Sequence, residues 1–167
     1  MRLESFIRKS LRLKAHTVTE VQERPDGMLV RIDWIQGRRV RCGACGRRTP
    51  RVVHRQGERR WRDLSLRDRS LTLTYRPCRV RCRFCGVRVE KVPWAARWQR
   101  VTDALLASVA RLSRMLSWKE TAGHFRLDWK TVAAAVKDRS CGGPSTSSTE
   151  YATDCARRAS ASCSSVL

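Results

Sequence analysis

One short pattern occurs twice in this chain, as Cys42-Gly43-Ala44-Cys45-Gly46 and as Cys82-Arg83-Phe84-Cys85-Gly86. Each Cys-x-x-Cys pair places two sulfurs on one tight turn, and the glycine that follows can adopt the backbone angle which that turn requires. Two such knuckles complete a tetrahedron, which predicts one structural zinc site with four ligands: Cys42, Cys45, Cys82 and Cys85. Iron in a rubredoxin-like centre is the chemical alternative, because four thiolates suit it too.

The chain is strongly basic. Its 167 residues include 36 lysines and arginines against 15 aspartates and glutamates, a formal charge of +21. This charge predicts a polyanionic partner, with nucleic acid first because neutralising phosphates releases counterions. A membrane is a weaker alternative, since no apolar run approaches the roughly 18 residues that span a bilayer. The N-terminus does not resemble a secretory signal, so we expect a cytoplasmic protein with reduced thiols.

The segment after residue 139 differs from the rest. Two arginines, Glu150 and Asp154 are its charged residues, so the excess positive charge lies in residues 1–139. We predict that residues 140–167, which are rich in Ser, Thr, Ala and Gly, form a disordered tail because they cannot bury enough apolar surface to offset the cost of ordering. The cysteines without knuckle spacing are predicted to be thiols that bind no metal: Cys78 at a strand end, and Cys141, Cys155 and Cys163 in the tail.

Alternating apolar residues predict two pairs of strands within residues 1–98, the proposed N-terminal hairpin and zinc ribbon. Residues 17–35 form the predicted hairpin around Pro25-Asp26-Gly27. Residues 58–66 and 70–76 form the second pair, which lies between the knuckles and is assigned to the ribbon. A core this small would need the metal for stability. The residues predicted to form this core are Trp61, Leu64, Leu66, Leu71, Leu73 and Tyr75.

Residues 99–139 follow a helical period instead. Thr102 and Asp103 open a first helix. Its apolar stripe consists of Leu105, Val109, Leu112 and Leu116. Ser117 with Glu120 forms a capping box for a second helix over 118–126, and Asp128 caps a third over 129–139. The short turn between the last two has helix-turn-helix spacing. The predicted fold class is therefore α+β, a small β zinc ribbon followed by a three-helix helix-turn-helix domain and the disordered tail.

The last helix has two different faces. Val132 and Val136 are expected to face inward, while Ala122, Phe125 and Leu127 pack around the turn. In helix-turn-helix proteins the start of the second helix of the motif enters the major groove of DNA. The predicted DNA-binding residues are Arg126, Trp129, Lys130, Thr131 and Lys137. A plain three-helix bundle with a basic surface is the alternative.

These residues resemble the head region of ISL3-family insertion-sequence transposases over about residues 30 to 139. The resemblance rests on these segments: 41–46, 59–64, 75–77, 79–82, 85–90, Val92-Pro93-Trp94-Ala95, 119–122 and 129–132. It implies a zinc ribbon and a helix-turn-helix that bind the terminal inverted repeats of the element in double-stranded DNA. It also implies a bacterial protein associated with the nucleoid, and full-length transposase as a further partner.

Two departures from the family pattern stand out. Arg126 occupies a turn position where glycine is common. After Arg139, where the family's DDE catalytic domain begins, the remaining acidic residues are Glu150 and Asp154. We therefore expect no catalytic residues in this chain, as in a truncated or frame-shifted transposase. A free-standing regulator or inhibitor of transposition and a zinc-ribbon RNA-binding protein are the alternative functions.

Overall fold

A computed structural model describes residues 3–49 and 51–140 of the chain. Of the predicted tail over 140–167, Ser140 is the last residue of a helix. Residues 141–167, with Cys141, Cys155 and Cys163, lie outside the described residues. The elements in chain order are α1 (Leu3–Ser10), β1 (His16–Arg24), β2 (Gly27–Trp34), β3 (Val40–Arg41), β4 (Arg48–Thr49), β5 (Val52–Arg55), β6 (Arg59–Leu66), β7 (Arg69–Tyr75), β8 (Cys78–Cys82), β9 (Gly86–Val89), α2 (Asp103–Leu112), α3 (Trp118–Phe125) and α4 (Trp129–Ser140). The predicted α+β class is confirmed, with a β-rich region containing the four knuckle cysteines followed by three helices.

The largest sheet joins two hairpins. β1 pairs antiparallel with β2 as predicted, and β6 pairs antiparallel with β7 across a tight turn. Arg67 and Asp68 in that turn both have positive φ, 51° and 62°, which suits the right-handed twist of a two-residue hairpin connection. β2 and β7 then pair in parallel, giving the strand order β1-β2-β7-β6.

The prediction that the second strand pair forms a small core of its own within the ribbon was wrong. β6 and β7 belong to the four-stranded sheet, and Trp61, Leu71, Leu73 and Tyr75 share one core with Val30 and Ile32 of β2. Leu66 is partly buried against this core, whereas Leu64 is exposed. The physical reason is burial, because Leu71, Leu73 and Tyr75 of β7 are buried in one apolar core with Val30 and Ile32 of β2.

The ribbon itself is built from shorter strands. β3 pairs with β4, and β5, β8 and β9 form a three-stranded antiparallel sheet. Its buried apolar cluster consists of Val40, Cys78 and Val80, with Ala15, Trp34 and Val52 packed against it. Two strands that carry knuckle residues therefore rest on a very small core.

An N-terminal helix, α1, was not predicted. Ile7 on α1 and Leu13 after it are buried in the main core, at 3% and 6% exposure, while the basic residues of the helix face outward. Eight residues carry too few apolar positions for a helical period to stand out in the sequence.

The helical region closely follows its predicted caps. Thr102 is the N-cap of α2 and accepts a hydrogen bond from the Leu105 amide, and Ser117 with Glu120 forms both bonds of a capping box on α3. Leu105 and Val109 are buried, but α2 ends at Leu112, so Leu116 lies beyond the helix and is 41% exposed. The second core contains Val101, Leu106, Ala122, Val132 and Ala135, with Phe125 and Leu127 packed against it.

The sheet and the helices are joined through β6. The Thr102 hydroxyl donates to the buried carboxylate of Asp63 at 2.5 Å, and the backbone amide of Thr102 donates to the Arg62 carbonyl. The Arg62 guanidinium donates to the Arg126 carbonyl at 2.7 Å, in the turn between α3 and α4. These contacts hold the helix-turn-helix against the edge strand of the large sheet. The domain boundaries at 98/99 and 139/140 stay predictions.

Candidate metal centre and nucleic-acid interface

The two knuckles bring four thiols together. The sulfurs of Cys42, Cys45, Cys82 and Cys85 all lie within 4.8 Å of one another, and the Sγ atoms of Cys45 and Cys82 are 3.6 Å apart. Four sulfurs at the corners of a zinc tetrahedron, each 2.3 Å from the metal, would lie about 3.8 Å apart. The spacing therefore fits a single zinc ion. Cys78 is not in this cluster, as predicted.

The knuckle backbone has the predicted geometry. Gly46 and Gly86 follow the second cysteine of each pair and have φ values of 68° and 70°, in the left-handed region that glycine adopts without strain. In the first knuckle the Gly46 amide donates to the Cys42 carbonyl at 2.9 Å. These two turns fix the direction of all four sulfurs.

The electrostatics of the cluster favour a bound cation. Hydrogen bonds from the backbone amides of Phe84 and Cys85 lower the pKa of the Cys82 thiol to about 7. The pKa of Cys85 is raised to about 12, first by its hydrogen bond with Cys45 and then by burial and by its other sulfur neighbours. Thiolates crowded in this way repel one another, and a divalent cation at their centre removes that repulsion. The residues thus fit zinc, which would hold the two knuckles together.

A buried polar network lies beside the ribbon and was missed at the level of sequence. The Glu90 carboxylate accepts hydrogen bonds from the Tyr75 hydroxyl at 2.5 Å and the Cys78 amide at 2.6 Å, and it pairs with His16 Nε2 at 3.1 Å. Burial is the main cause that raises the pKa of Tyr75 above its usual range and that of Cys78 to about 11. The backbones of Glu90 and Cys42 also form an isolated antiparallel β-bridge, so the network connects the ribbon to the sheet.

The residues predicted to contact DNA lie at one surface of the helix-turn-helix. Trp129 is 58% exposed at the start of α4, and Arg126, Lys130 and Lys137 are exposed as well. Thr131 is half-buried. The Asp128 carboxylate accepts a hydrogen bond from the Lys130 amide at 2.7 Å. This bond gives a partner to one of the backbone amides that the first turn of α4 leaves without an acceptor within the helix. The structure thus brings Arg126, Trp129, Lys130 and Thr131 to the start of α4, the end that helix-turn-helix proteins insert into DNA, while Lys137 lies near the other end of the helix. The contacts of all five residues with DNA stay predictions.

Arg126 occupies the strained position that its place in the turn suggested. It is the C-cap of α3 with φ 50° and ψ 47°, and its amide donates to the carbonyls of Ala122 and Gly123. A left-handed conformation costs a residue with a Cβ about 1–2 kcal/mol relative to its preferred conformations. The side chain of Arg126 is exposed, so it contributes no burial that would offset this cost.

We expect Arg126→Gly to leave the free energy of unfolding unchanged or to raise it by up to about 1 kcal/mol, because glycine adopts positive φ without a Cβ penalty. The Arg62 hydrogen bond is made to the Arg126 backbone and would remain. Urea unfolding measures the effect. Arg111→Gly in the last turn of α2 is the control and should cost about 1 kcal/mol; an equal loss in both variants would contradict the argument.

Two family profiles match consecutive parts of the chain. The zinc finger of transposases IS204, IS1001, IS1096 and IS1165 matches residues 38–85, and the helix-turn-helix domain of transposase family ISL3 matches residues 90–140. The first match covers all four clustered cysteines, so the cluster is the site of one zinc ion in a zinc ribbon. The second covers α2 to α4 and confirms the helix-turn-helix assignment.

Curated relatives agree with these profiles. The transposase of insertion sequence element IS1001 from Bordetella parapertussis is 36% identical over 99 residues, which are 59% of this chain and 24% of the relative. The transposase of IS1557 from Mycobacterium tuberculosis is 34% identical over 96 residues, 58% of this chain and 22% of the relative. The chain thus spans about a quarter of the length of these relatives. No solved structure matches it.

In the described part of the chain, no helix has the length and apolar character needed to cross a membrane.

Proposed function

Because residues 38–85 match the zinc finger of such transposases and residues 90–140 match the helix-turn-helix domain of transposase family ISL3, we propose that this chain binds DNA and recognises the terminal inverted repeats of an insertion element. The observation that carries the proposal is the exposed N-terminal end of α4, with Trp129 and Lys130 projecting from a helix held by Arg62. We also propose that Cys42, Cys45, Cys82 and Cys85 ligate the zinc ion. The metal has a structural role there, because four protein ligands leave no open position.

The start of α4 carries side chains suited to base contacts. Lys130 can donate to the O6 and N7 acceptors of guanine in the major groove, and the ring of Trp129 can pack against thymine methyl groups. Thr131 adds a hydroxyl that can donate or accept. We assign Arg126, before the helix, and Lys137, near its end, to contacts with phosphates, which position the helix without reading sequence.

Lys130→Ala is expected to weaken binding to the terminal repeat by about 5- to 150-fold, the loss of one specific base contact. Binding to scrambled DNA should weaken much less. Gel shifts at fixed salt measure both affinities, because affinities at different ionic strengths are not comparable. Lys137→Ala is the matched control, since it removes the same charge from the other end of α4 and should weaken binding to both DNAs equally. Equal losses for both variants on both DNAs would refute base reading by Lys130.

The proposal does not include strand transfer by this chain. Metal-assisted strand transfer requires several carboxylates held around divalent ions, and the profiles that match this chain are those of a zinc-ribbon and a helix-turn-helix domain. We expect repeat DNA incubated with the chain and Mg²⁺ to remain uncut under conditions in which gel shifts show it fully bound. Cleavage at the repeat end would contradict this part of the proposal.

A further inference from the structure

A second basic surface lies on the ribbon, and none of its lining residues belongs to α4. It is an open groove of about 370 Å³ in which every charged lining residue is an arginine. The arginine groove, as we name it, is lined by Arg47, Arg48, Arg51, Arg81, Arg83 and Phe84, together with Thr49 and Cys82. The groove could not be predicted from local sequence, because its two halves, at residues 47–51 and 81–84, lie far apart in the chain.

The arginines of the groove are available to a ligand. All five are exposed, and none takes part in an ion pair among residues 3–49 and 51–140. By contrast, Arg31, Arg55, Arg60 and Arg69 elsewhere on the β-rich region each pair with a carboxylate. A groove that concentrates unpaired guanidinium groups has a positive potential which attracts phosphates. Guanidinium groups also match phosphate oxygens in two-pronged hydrogen bonds.

The zinc site holds the two walls of the groove. Arg47 and Arg48 directly follow the first knuckle, while Arg81 and Arg83 flank Cys82 in the second. A cross-strand contact completes the arrangement, because the Thr49 hydroxyl donates to the Arg81 carbonyl at 2.9 Å. The Arg47 guanidinium lies 4.0 Å from the centroid of the Phe84 ring, which is itself 67% exposed. The metal thus preorganises this cluster of charge.

We propose that the arginine groove binds the phosphate backbone of duplex DNA as a second, sequence-independent anchor beside the helix-turn-helix. This inference rests on the proposed DNA-binding function and deepens it by assigning a ligand to the ribbon. The contacts around Glu90 connect ribbon to sheet, and Arg62, Asp63 and Thr102 connect sheet to helices. The two DNA-binding surfaces therefore act from one connected scaffold, with α4 reading bases and the ribbon holding phosphates.

The test uses the full chain with Arg48→Gln and Arg83→Gln combined, one change in each wall. If each arginine neutralises one phosphate, the slope of log affinity against log salt should become shallower by about 1.8, and affinity should fall about 30-fold at 0.15 M salt. The loss should be the same for terminal-repeat and scrambled duplexes, so their affinity ratio stays constant. The double variant with lysine at both positions keeps the charges and should retain the parental slope.

The control combines Arg24→Gln with Arg67→Gln, which removes the same charge from exposed, unpaired positions at the hairpin ends of the large sheet. Zinc content and circular dichroism should match the parent in all variants. A slope change equal to that of the control, or a changed affinity ratio between the two duplexes, would overturn the groove proposal while leaving α4 binding intact. A parent chain that binds no duplex, or prefers single-stranded RNA, would overturn the proposed function itself.

Discussion

Chelation of zinc, or the change Cys82→Ser, is expected to unfold the ribbon while α2, α3 and α4 retain their helical structure. The ribbon has a buried apolar cluster of three residues, Val40, Cys78 and Val80, whereas the helices share a separate core of their own. Binding of a structural zinc ion supplies about 10–16 kcal/mol in small domains of this kind, and that free energy is folding free energy. Without it, the short strands β3, β4, β8 and β9 have too little apolar burial to offset their ordering.

Two measurements separate the parts of the molecule. Amide resonances of residues 40–55 and 78–90 should collapse to unfolded positions on chelation, while far-UV circular dichroism keeps the helical contribution. Cys78→Ser is the matched control, because Cys78 is fully buried and adjacent to the network but lies outside the sulfur cluster. It should bind one equivalent of zinc as the parent does. Resonances unaffected by chelator, or zinc lost equally in both serine variants, would contradict the assignment.

Glu90→Ala is expected to lower the free energy of unfolding by several kcal/mol, because each buried donor left without its acceptor costs about 1–3 kcal/mol. The Glu90 side chain is fully buried, and its loss leaves His16, the Tyr75 hydroxyl and the Cys78 amide without their acceptor. Since small domains are stable by about 5–15 kcal/mol, much of the margin would disappear. Urea unfolding followed by tryptophan fluorescence monitors the core around Trp94, whose ring packs edge-on against His16 and Tyr75.

Glu58→Ala is the control for that prediction. Glu58 pairs with Arg60 at 3.6 Å, but the side chains are 42% and 63% exposed, so the pair should contribute about 0–1 kcal/mol. Losses of similar size in the two variants would show that burial does not determine how much the Glu90 contacts contribute to the free energy of unfolding. A further variant, Glu90→Gln, keeps the shape and one acceptor oxygen, and it should fall between the parent and Glu90→Ala.

Features that depend on neighbouring residues could be predicted from the sequence. The two zinc knuckles, the cap at Thr102, the capping box at Ser117 and the positive φ of Arg126 each involve residues within about four positions of one another. Backbone geometry and hydrogen bonding of single turns decide such features, and these are the same in most folds. The amphipathic helix α1 escaped prediction because eight residues show too little periodicity.

The partner chosen by each strand could not be predicted in the same way. The β6–β7 hairpin lies between the knuckles in sequence, yet it joins β2 in parallel because that pairing buries Leu71, Leu73 and Tyr75 in the larger core. Glu90 and His16 are separated by 74 residues, and their contact depends on the ribbon docking beside β1. Nothing in the local sequence of either residue indicates the other.

The sequence by itself therefore determined the chemistry of this protein: four thiols spaced for one zinc ion, a helix-turn-helix with its caps, and a surplus of positive charge. Only the tertiary structure decided where that chemistry lies, because strand pairing and burial act between distant segments. In the tertiary structure the second hairpin pairs within the large sheet, Glu90 is buried between ribbon and sheet, and five arginines in or near the two knuckles line one groove.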